Sequence, residues 1–187
     1  MRITGGTFRG RALAAPADAR VRPTSDKVRQ AIFNIVAHHD FGGFALEGAR
    51  VADLFAGTGA LGLEALSRGG AYCLFVEEAA DSRALIRRNV EALNLTGVTK
   101  IWRRDATSLG PLGAGARGPF DLVFLDPPYR KGLIAPALAS LREGGWLADG
   151  ALIVVEMGAD EIVPSTEGFA LADKRLYGDT SVLFLRS

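Results

Sequence analysis

The stretch FDLVFLDPPY, residues 120–129, decides the fold. Five of the six residues from Phe120 to Leu125 are apolar, which is typical of a strand that is buried on both faces of a parallel sheet. The polar tetrad DPPY follows at the carboxyl end of this strand, where ligands of open α/β sheets bind. The stretch therefore predicts a parallel sheet with a site at this edge.

The tetrad has the chemistry of a site for an aromatic amine. Pro127 and Pro128 lack N–H donors and hold the residues before them extended, so Asp126 and the nearby carbonyls meet no local donor from these two positions. These acceptors suit an amino group, and the ring of Tyr129 can stack on the heterocycle that carries it. Asp126, Pro127 and Tyr129 are the predicted catalytic residues. Taken alone, the motif is also compatible with a strand-ending turn.

Composition indicates a single domain in a reducing compartment. The chain has 187 residues and one cysteine, Cys73, which cannot form an internal disulfide. No uncharged apolar run approaches the length of a membrane span, and we expect a cytoplasmic location. Adjacent His38 and His39 have no third ligand at metal spacing, so we expect no metal site.

Charge is concentrated at the N-terminus. Residues 1–30 hold seven basic and two acidic residues, a net charge of +5, so the remainder carries −4 of the total of +1. A basic arm on an acidic body indicates contact with a polyanion, although a solvated flexible terminus is the alternative. We predict a basic hairpin or disordered arm over residues 1–21 and a main domain over residues 22–187. The predicted RNA contacts are Arg9, Arg11, Arg22, Lys27, Arg130 and Lys131.

Lys27 and Arg29 lie in the first turns of a predicted helix that Thr24 or Ser25 can cap. Cations are unfavourable beside the positive end of a helix dipole. We therefore expect a ligand, rather than local structure, to explain these two residues.

Strand and helix patterns alternate along the rest of the chain. Strands are predicted at 51–55, 73–76, 98–102, 120–125 and 151–155, helices at 60–67, 82–93 and 133–141, and a closing hairpin at 169–176 and 181–185. Alternation of this kind requires a parallel sheet that is covered on both faces. The expected fold is α/β, with a mostly parallel seven-stranded sheet and an antiparallel C-terminal hairpin.

A glycine loop separates the first strand from its helix. Residues 53–62, DLFAGTGALG, contain the pattern G-x-G-x-x-G at Gly57, Gly59 and Gly62. A dinucleotide site is one interpretation. Asp53 would lie under this loop, where a carboxylate is unfavourable for a pyrophosphate but favourable for a cation. S-adenosylmethionine is such a ligand, because it carries an ammonium and a sulfonium.

Further acids follow the next strands. Glu77 lies 20 residues past Gly57 and can bind both ribose hydroxyls, a spacing that fits either cofactor. Asp105 can accept from an adenine amine. With Asp53 and Asp126, these acids mark the carboxyl ends of four successive strands. The predicted cofactor-binding residues are Asp53, Phe55, Gly57, Thr58, Gly59, Glu77, Asp105 and Ala106.

Together these motifs resemble the class I S-adenosylmethionine-dependent methyltransferases that modify amino groups, which have a Rossmann-like fold. RITGG at 2–6, RPTSDKVR at 22–29, DPPYRKG at 126–132 and YGDT at 177–180 resemble the RsmD family more narrowly. Two departures are small: Tyr129 is Phe in many relatives, and Ser25 is often Thr.

The RsmD resemblance implies a bacterial 16S rRNA guanine-N2 methyltransferase. Its substrate would be a specific guanine of 16S rRNA, the G966-type site, in the small ribosomal subunit or a protein-bound assembly intermediate. S-adenosylmethionine would be the methyl donor, and we expect the protein to act as a monomer.

Three other functions share some of these features. A DNA or RNA adenine-N6 methyltransferase would share the loop and DPPY, but the DNA enzymes usually need a target-recognition domain, for which no segment here is long enough. A protein glutamine methyltransferase would normally have Asn in place of Asp126. A non-catalytic RNA-binding assembly factor would keep the basic arm but would not need the acids.

Overall fold

The computed structural model describes residues 1–16 and 25–187. The predicted boundary between residues 21 and 22, the predicted RNA contact Arg22 and the predicted cap Thr24 lie outside these described residues. Within the described ranges, no helix is both long enough and apolar enough to cross a membrane.

In the described part of the chain, seven strands form one sheet. They are β1 (Arg50–Leu54), β2 (Tyr72–Val76), β3 (Thr99–Trp102), β4 (Phe120–Leu125), β5 (Leu147–Gly158), β6 (Ala170–Tyr177) and β7 (Thr180–Arg186). Their order in the sheet is β3-β2-β1-β4-β5-β7-β6. Strands β1 to β5 are parallel, and β7 runs antiparallel between β5 and β6. The predicted fold class is confirmed.

Helices cover both faces of the sheet. The described α-helices are α1 (Asp26–His38), α2 (Ala60–Ser67), α3 (Ala80–Ala92) and α4 (Ile134–Glu143). Apolar side chains of α1, α2 and α3 pack on one face of the sheet, and those of α4 pack on the other face. Ser25, one of the two predicted caps, begins α1: its hydroxyl accepts from the Val28 amide at 3.2 Å.

Strand β5 is longer than predicted, at 12 residues rather than the five of 151–155. Its C-terminal extension pairs with β7, where Glu156 opposes Val182 and Gly158 opposes Thr180. Because Glu156 interrupts the apolar run, the sequence pattern ended the strand at Val155. Cross-strand pairing extends it to Gly158.

The register of the strands aligns their carboxyl ends. Leu54 of β1 pairs with Val76 of β2 and Leu125 of β4, and Leu125 pairs with Val155 of β5. The residues that follow these four stand in one row along the edge of the sheet: Phe55, Glu77, Asp126 and Glu156.

The N-terminal residues form a hairpin that is docked on the domain. Arg2 and Ala12 make an antiparallel bridge, and the side chains of Ile3 and Leu13 are buried in the core. The Thr7 amide donates to the carbonyl of Ser67 in α2 at 2.7 Å. Of the two predicted alternatives, the structure therefore shows the hairpin.

A buried carboxylate joins this hairpin to two helices. Glu64 of α2 is fully buried and accepts from the amide and hydroxyl of Thr4 and from the amide of Gly5. It also accepts from Arg29 Nε at 3.1 Å and from Arg68 Nε at 2.9 Å. Burial pushes the pKa of Glu64 upward, but the hydrogen bonds from Thr4, Arg68 and Arg29 outweigh it and hold the pKa below its ordinary value of 4.5.

The expectation that a ligand explains Arg29 is wrong. Arg29 is fully buried, and its guanidinium pairs with Glu64 and with Asp26 on its own helix. A buried arginine needs such acceptors, so a structural contact outweighs the unfavourable helix dipole. Lys27, two residues before Arg29, is exposed and stays a predicted RNA contact.

We predict that Glu64→Gln lowers the free energy of unfolding by about 3–5 kcal/mol at pH 7, because it removes the fully buried carboxylate that pairs with both Arg29 and Arg68, and the partly exposed Asp26 does not replace it. Urea unfolding measures this change. The matched control is Asp121→Asn, which alters the half-exposed pair of Arg50 and Asp121 and should cost under about 1 kcal/mol. A folded pKa below 4.5 means that this stabilisation is present above that pH and is lost as the pH falls through the folded pKa. The two proteins should therefore converge in acid, and a difference that does not shrink there would contradict the ionic role.

Candidate active site

The glycine loop after β1 has a strained entry and a tight turn. Phe55 has a positive φ of 58°, which is rare for an aromatic residue and costs of the order of 1–3 kcal/mol. Gly59 has a φ of 78°, and its amide donates to the Ala56 carbonyl at 2.7 Å. Gly62 lies so close to β2 that a Cβ there would stand 2.5 Å from the ring of Phe75. The loop is thus held against the sheet, with Gly57 and Thr58 partly exposed.

Asp53 lies beneath this loop, as predicted. It is 1% exposed, and its Oδ2 accepts from the Gly62 amide at 2.9 Å. Burial raises the pKa of Asp53 to about 8; the Gly62 hydrogen bond opposes this rise, and the charge of Glu77 adds to it. Without a nearby cation, Asp53 is therefore largely protonated at neutral pH.

Glu77 is held at the mouth of the loop by two amides. Its Oε2 accepts from Gly57 N and its Oε1 accepts from Ala79 N, each at 2.8 Å. Each carboxylate oxygen keeps capacity for a second donor, so these bonds orient the acid without saturating it. A pair of ribose hydroxyls is the kind of ligand that such an acid binds.

Asp105 and Ala106 follow β3. Asp105 Oδ1 accepts from the amide of Thr107 at 2.8 Å and from its hydroxyl at 2.7 Å, which fixes the turn. Ala106 is buried beneath it. The turn places an acceptor beyond β3, at the same edge of the sheet as Glu77.

A buried asparagine ties Thr58 to the N-terminal segment. Asn89 of α3 donates to the carbonyl of Thr58 at 3.0 Å and to that of Ala14 at 3.1 Å, and it accepts from the Ala14 amide at 2.7 Å. The sequence analysis missed Asn89, because its helical position shows no sign of the loop that it contacts. No local pattern would have found it.

The DPPY tetrad stands at the end of β4 with its aromatic ring anchored. Asp126 is half-buried and Pro127 is buried. The Tyr129 hydroxyl donates to Glu156 Oε1 at 2.8 Å and lies 3.1 Å from Thr180 Oγ1. Burial raises the pKa of the Tyr129 hydroxyl, and the charges of Glu156 and Asp126 add to this rise. Both carboxylates therefore lie near the tyrosine.

A cavity of about 150 Å³ opens beside the tetrad. Pro127, Tyr129, Ile134, Glu156 and Glu161 are among the residues that line it. A second cavity of about 350 Å³ lies at the amino ends of the strands, next to Asp121 and Asp149. Because open parallel sheets bind ligands at the carboxyl ends, we take the smaller cavity as the candidate site for a base.

The two cations after the tetrad differ in their surroundings. Arg130 is exposed, and its guanidinium pairs with Asp160 through two nitrogens, with distances of 2.8–3.2 Å. A phosphate would have to compete with that carboxylate. Lys131 is exposed, as are Arg9 and Arg11 of the hairpin.

The site residues suit S-adenosylmethionine by their chemistry. Asp53 and Glu77 accept from amides of the glycine turn, and Asp105 is a further acceptor at the same edge of the sheet. A cation, a pair of ribose hydroxyls and an amine are the ligands that such acceptors would bind. In the described part of the chain, no group of three or more His, Cys, Asp or Glu side chains is placed to hold a metal ion.

Sequence analysis also missed Glu156, although a signal was present. It directly follows the predicted strand 151–155, as Asp126 follows the strand 120–125. The series of acids at strand ends therefore has a fifth member.

Comparisons with known proteins match most of the chain. The family model described as Conserved hypothetical protein 95 matches residues 1–186. The Ribosomal RNA small subunit methyltransferase D of Escherichia coli K12 is 40% identical over 167 residues, which cover 88% of this chain and 78% of that protein. YlbH of Bacillus subtilis is 36% identical over 183 residues, 97% of this chain and 96% of its own length.

Solved structures share the same architecture. The structure of yhhF from E. coli superposes with a TM-score of 0.82 at 33% identity, covering 100% of this chain and 97% of that one. A SAM-dependent methyltransferase structure from Streptococcus mutans has a TM-score of 0.61 at 19% identity, covering 87% of this chain and 48% of that one. The methyltransferase SMU.776, complexed with SAH, has a TM-score of 0.60 at 18% identity, covering 87% of this chain and 49% of that one, so the likeness to both is one of fold alone.

We predict that Asp53→Asn changes the pH dependence of stability. An unfolded Asp53 ionises near pH 3.8, whereas the folded one holds its proton up to about pH 8, so the wild-type free energy of unfolding should fall between these values by up to about 1.4 kcal/mol per pH unit. Asn cannot ionise and should escape this loss. Urea unfolding at pH 5.5 and 7.5 should therefore show the variant gaining roughly 2–3 kcal/mol on wild type between the two pH values. The half-exposed control Asp121→Asn should show no such gain. A difference between Asp53→Asn and wild type that is equal at both pH values would contradict the raised pKa of Asp53.

Proposed function

The chain belongs to the RsmD family of S-adenosylmethionine-dependent rRNA methyltransferases, whose family model is described as Conserved hypothetical protein 95, and we propose that it methylates the exocyclic N2 of a guanine in small-subunit rRNA. The G966-type guanine of 16S rRNA is the proposed target. The proposed substrate is the small subunit or a protein-bound assembly intermediate, on which the protein acts in the cytoplasm as a monomer.

The observation that carries this proposal is the pairing of β1 with β4. Because Leu54 pairs with Leu125, the glycine loop and the DPPY corner begin at adjacent positions on one edge of the sheet. A cofactor on the loop and an amine at Asp126 would therefore be neighbours. When bound, S-adenosylmethionine supplies an activated methyl group.

Asp126 and Pro127 act on the amine. The lone pair of a guanine amine is delocalised into the ring, which makes it a poor nucleophile. Asp126 and the carbonyl of Pro127 accept its two N–H groups, localise the lone pair and fix its direction. The amine becomes acidic once it is methylated, and Asp126 or water accepts the released proton.

Positioning accounts for most of the acceleration. Effective orientation of two reacting groups can supply up to about 7–11 kcal/mol. Tyr129 holds the extruded base by stacking, worth about 1–3 kcal/mol per base. Its hydroxyl bonds to Glu156 and Thr180 restrict the ring, so the stacking face is set before the base arrives.

Cations guide the RNA to this site. Arg9 and Arg11 project from the docked hairpin, Lys27 from α1 and Lys131 from the turn after the tetrad. Arg22 belongs to this proposed set from sequence alone. Arg130 joins it if RNA displaces Asp160.

The competing functions are less well supported. Adenine-N6 methylation would use the same loop and tetrad, but the RsmD relatives span almost the whole chain. A silent RNA-binding factor has no need for Asp53, which is unfavourable to bury, or for Glu77 at the loop.

We predict that Asp126→Ala abolishes methyl transfer while S-adenosylmethionine binding stays within about threefold of wild type, because Asp126 holds the amine rather than the cofactor. Transfer of labelled methyl groups to small subunits that lack the modification measures the first quantity, and calorimetry the second. Mapping the labelled nucleotide then tests N2 of the proposed guanine.

The control for this experiment is Asp160→Asn, which changes an exposed acid near the tetrad and should retain activity. Substantial activity in Asp126→Ala would defeat the assigned role. Label on an adenine would contradict guanine-N2 methylation and support adenine-N6 methylation.

We predict that Arg9→Glu combined with Arg11→Glu flattens the salt dependence of RNA binding. Each phosphate contact that is lost should reduce the slope of log K against log salt by about 0.7, so two contacts give about 1.4. Filter binding at salt concentrations from about 50 to about 300 mM measures this slope. Lys174→Glu combined with Arg175→Glu on the edge strand β6, which changes the net charge by the same amount, is the matched control. An unchanged slope in the double variant would remove the hairpin from the interface.

A further inference from the structure

Glu156 is a buried carboxylate in the base cavity. It directly follows Val155, whose Cα pairs with that of Leu125, so Glu156 of β5 and Asp126 after β4 occupy neighbouring positions at the sheet edge. Glu156 is 5% exposed and lines the cavity together with Pro127 and Tyr129. Glu156 therefore lines the cavity, and Asp126 stands at the neighbouring sheet-edge position, directly before the cavity residue Pro127.

Anchoring the Tyr129 ring does not by itself explain an acid at this position. Glu156 Oε1 accepts from the Tyr129 hydroxyl at 2.8 Å. A glutamine amide oxygen would accept the same bond without the several kcal/mol that burial of a carboxylate costs. A carboxylate differs from the amide in its negative charge and in its hydrogen-bonding pattern: it offers acceptors on both oxygens, about four sites in all, and no donor.

Guanine presents the matching pattern on its Watson–Crick edge. Its N1–H and its N2 amine are adjacent donors, whereas the N1 of adenine is an acceptor. Enzymes that extrude a base read it through hydrogen bonds to this edge. Two neighbouring acceptor-only groups would bind the guanine edge and repel a base with a lone pair at N1.

We propose that Glu156 is a specificity-determining residue that selects guanine by accepting its N1–H, while Asp126 accepts from the N2 amine. This inference rests on the proposed guanine-N2 activity. It gives the two acids different tasks: Asp126 prepares the reacting amine, and Glu156 reads the ring atom beside it.

A base analogue separates these tasks. 2-Aminopurine keeps the amine at C2 but carries a lone pair at N1. Small subunits are rebuilt with either guanosine or 2-aminopurine riboside at the mapped target, and kcat/KM is measured for both. The wild-type ratio should favour guanosine by at least about 100-fold, because a site that accepts N1–H is left facing a lone pair.

Glu156→Gln should lower that ratio at least about tenfold, since the amide N–H can donate to the lone pair at N1. The ratio is taken within one preparation, so partial unfolding cancels. The matched control is Glu161→Gln in the same cavity. Glu161 lies in the turn after β5 rather than beside Asp126 at the sheet edge, and its oxygens accept from the backbone amides of Arg130 and Gly158, so its ratio should stay within about threefold of wild type.

The outcomes are distinct. Absence of wild-type transfer to guanosine would reject the proposed function itself. A wild-type ratio near one would overturn the role of Glu156 even if every variant failed to fold. A ratio that is unchanged in Glu156→Gln, or that changes only in Glu161→Gln, would overturn it as well. Loss of discrimination in Glu156→Gln alone supports it.

Discussion

The parallel hydrogen-bond register of β1, β2, β4 and β5 is the constraint on which the site depends. It pairs Leu54 with Val76 and Leu125, and Leu125 with Val155. Each strand therefore ends at the same level and delivers its next residues to one edge. A shift of one residue in any pair would turn an acid from the site into the core, because strand side chains alternate between faces.

The site collects carboxylates where the protein can tolerate their burial. Asp53 has a raised pKa and accepts from the Gly62 amide. Glu77 accepts from the amides of Gly57 and Ala79, and Glu156 accepts from the Tyr129 hydroxyl. Each of these acids thus accepts hydrogen bonds from uncharged donors. A cationic cofactor and a base with amino donors are the partners that such an arrangement favours.

The N-terminal hairpin is hydrogen-bonded to the helices that support the cofactor loop. Glu64 binds Thr4, Gly5 and Arg29, and Asn89 joins Ala14 to the carbonyl of Thr58 in the cofactor loop. The exposed arginines therefore stand on a segment that is fixed to the helices below the loop. One packed layer of side chains would thus support both the hairpin that contacts RNA and the loop that binds the cofactor.

The sequence alone determined the fold class, the succession of acids at strand ends and the DPPY corner, because alternating apolar periods and turn residues are local properties. Helix α2 even has the predicted bounds, Ala60–Ser67. Tertiary structure decided the rest. Pairing with β7 extends β5 through Glu156, the ion pair with Glu64 explains the burial of Arg29, and docking of the N-terminal segment brings Ala14 to Asn89. These contacts join residues far apart in the chain, and no local pattern carries their energies.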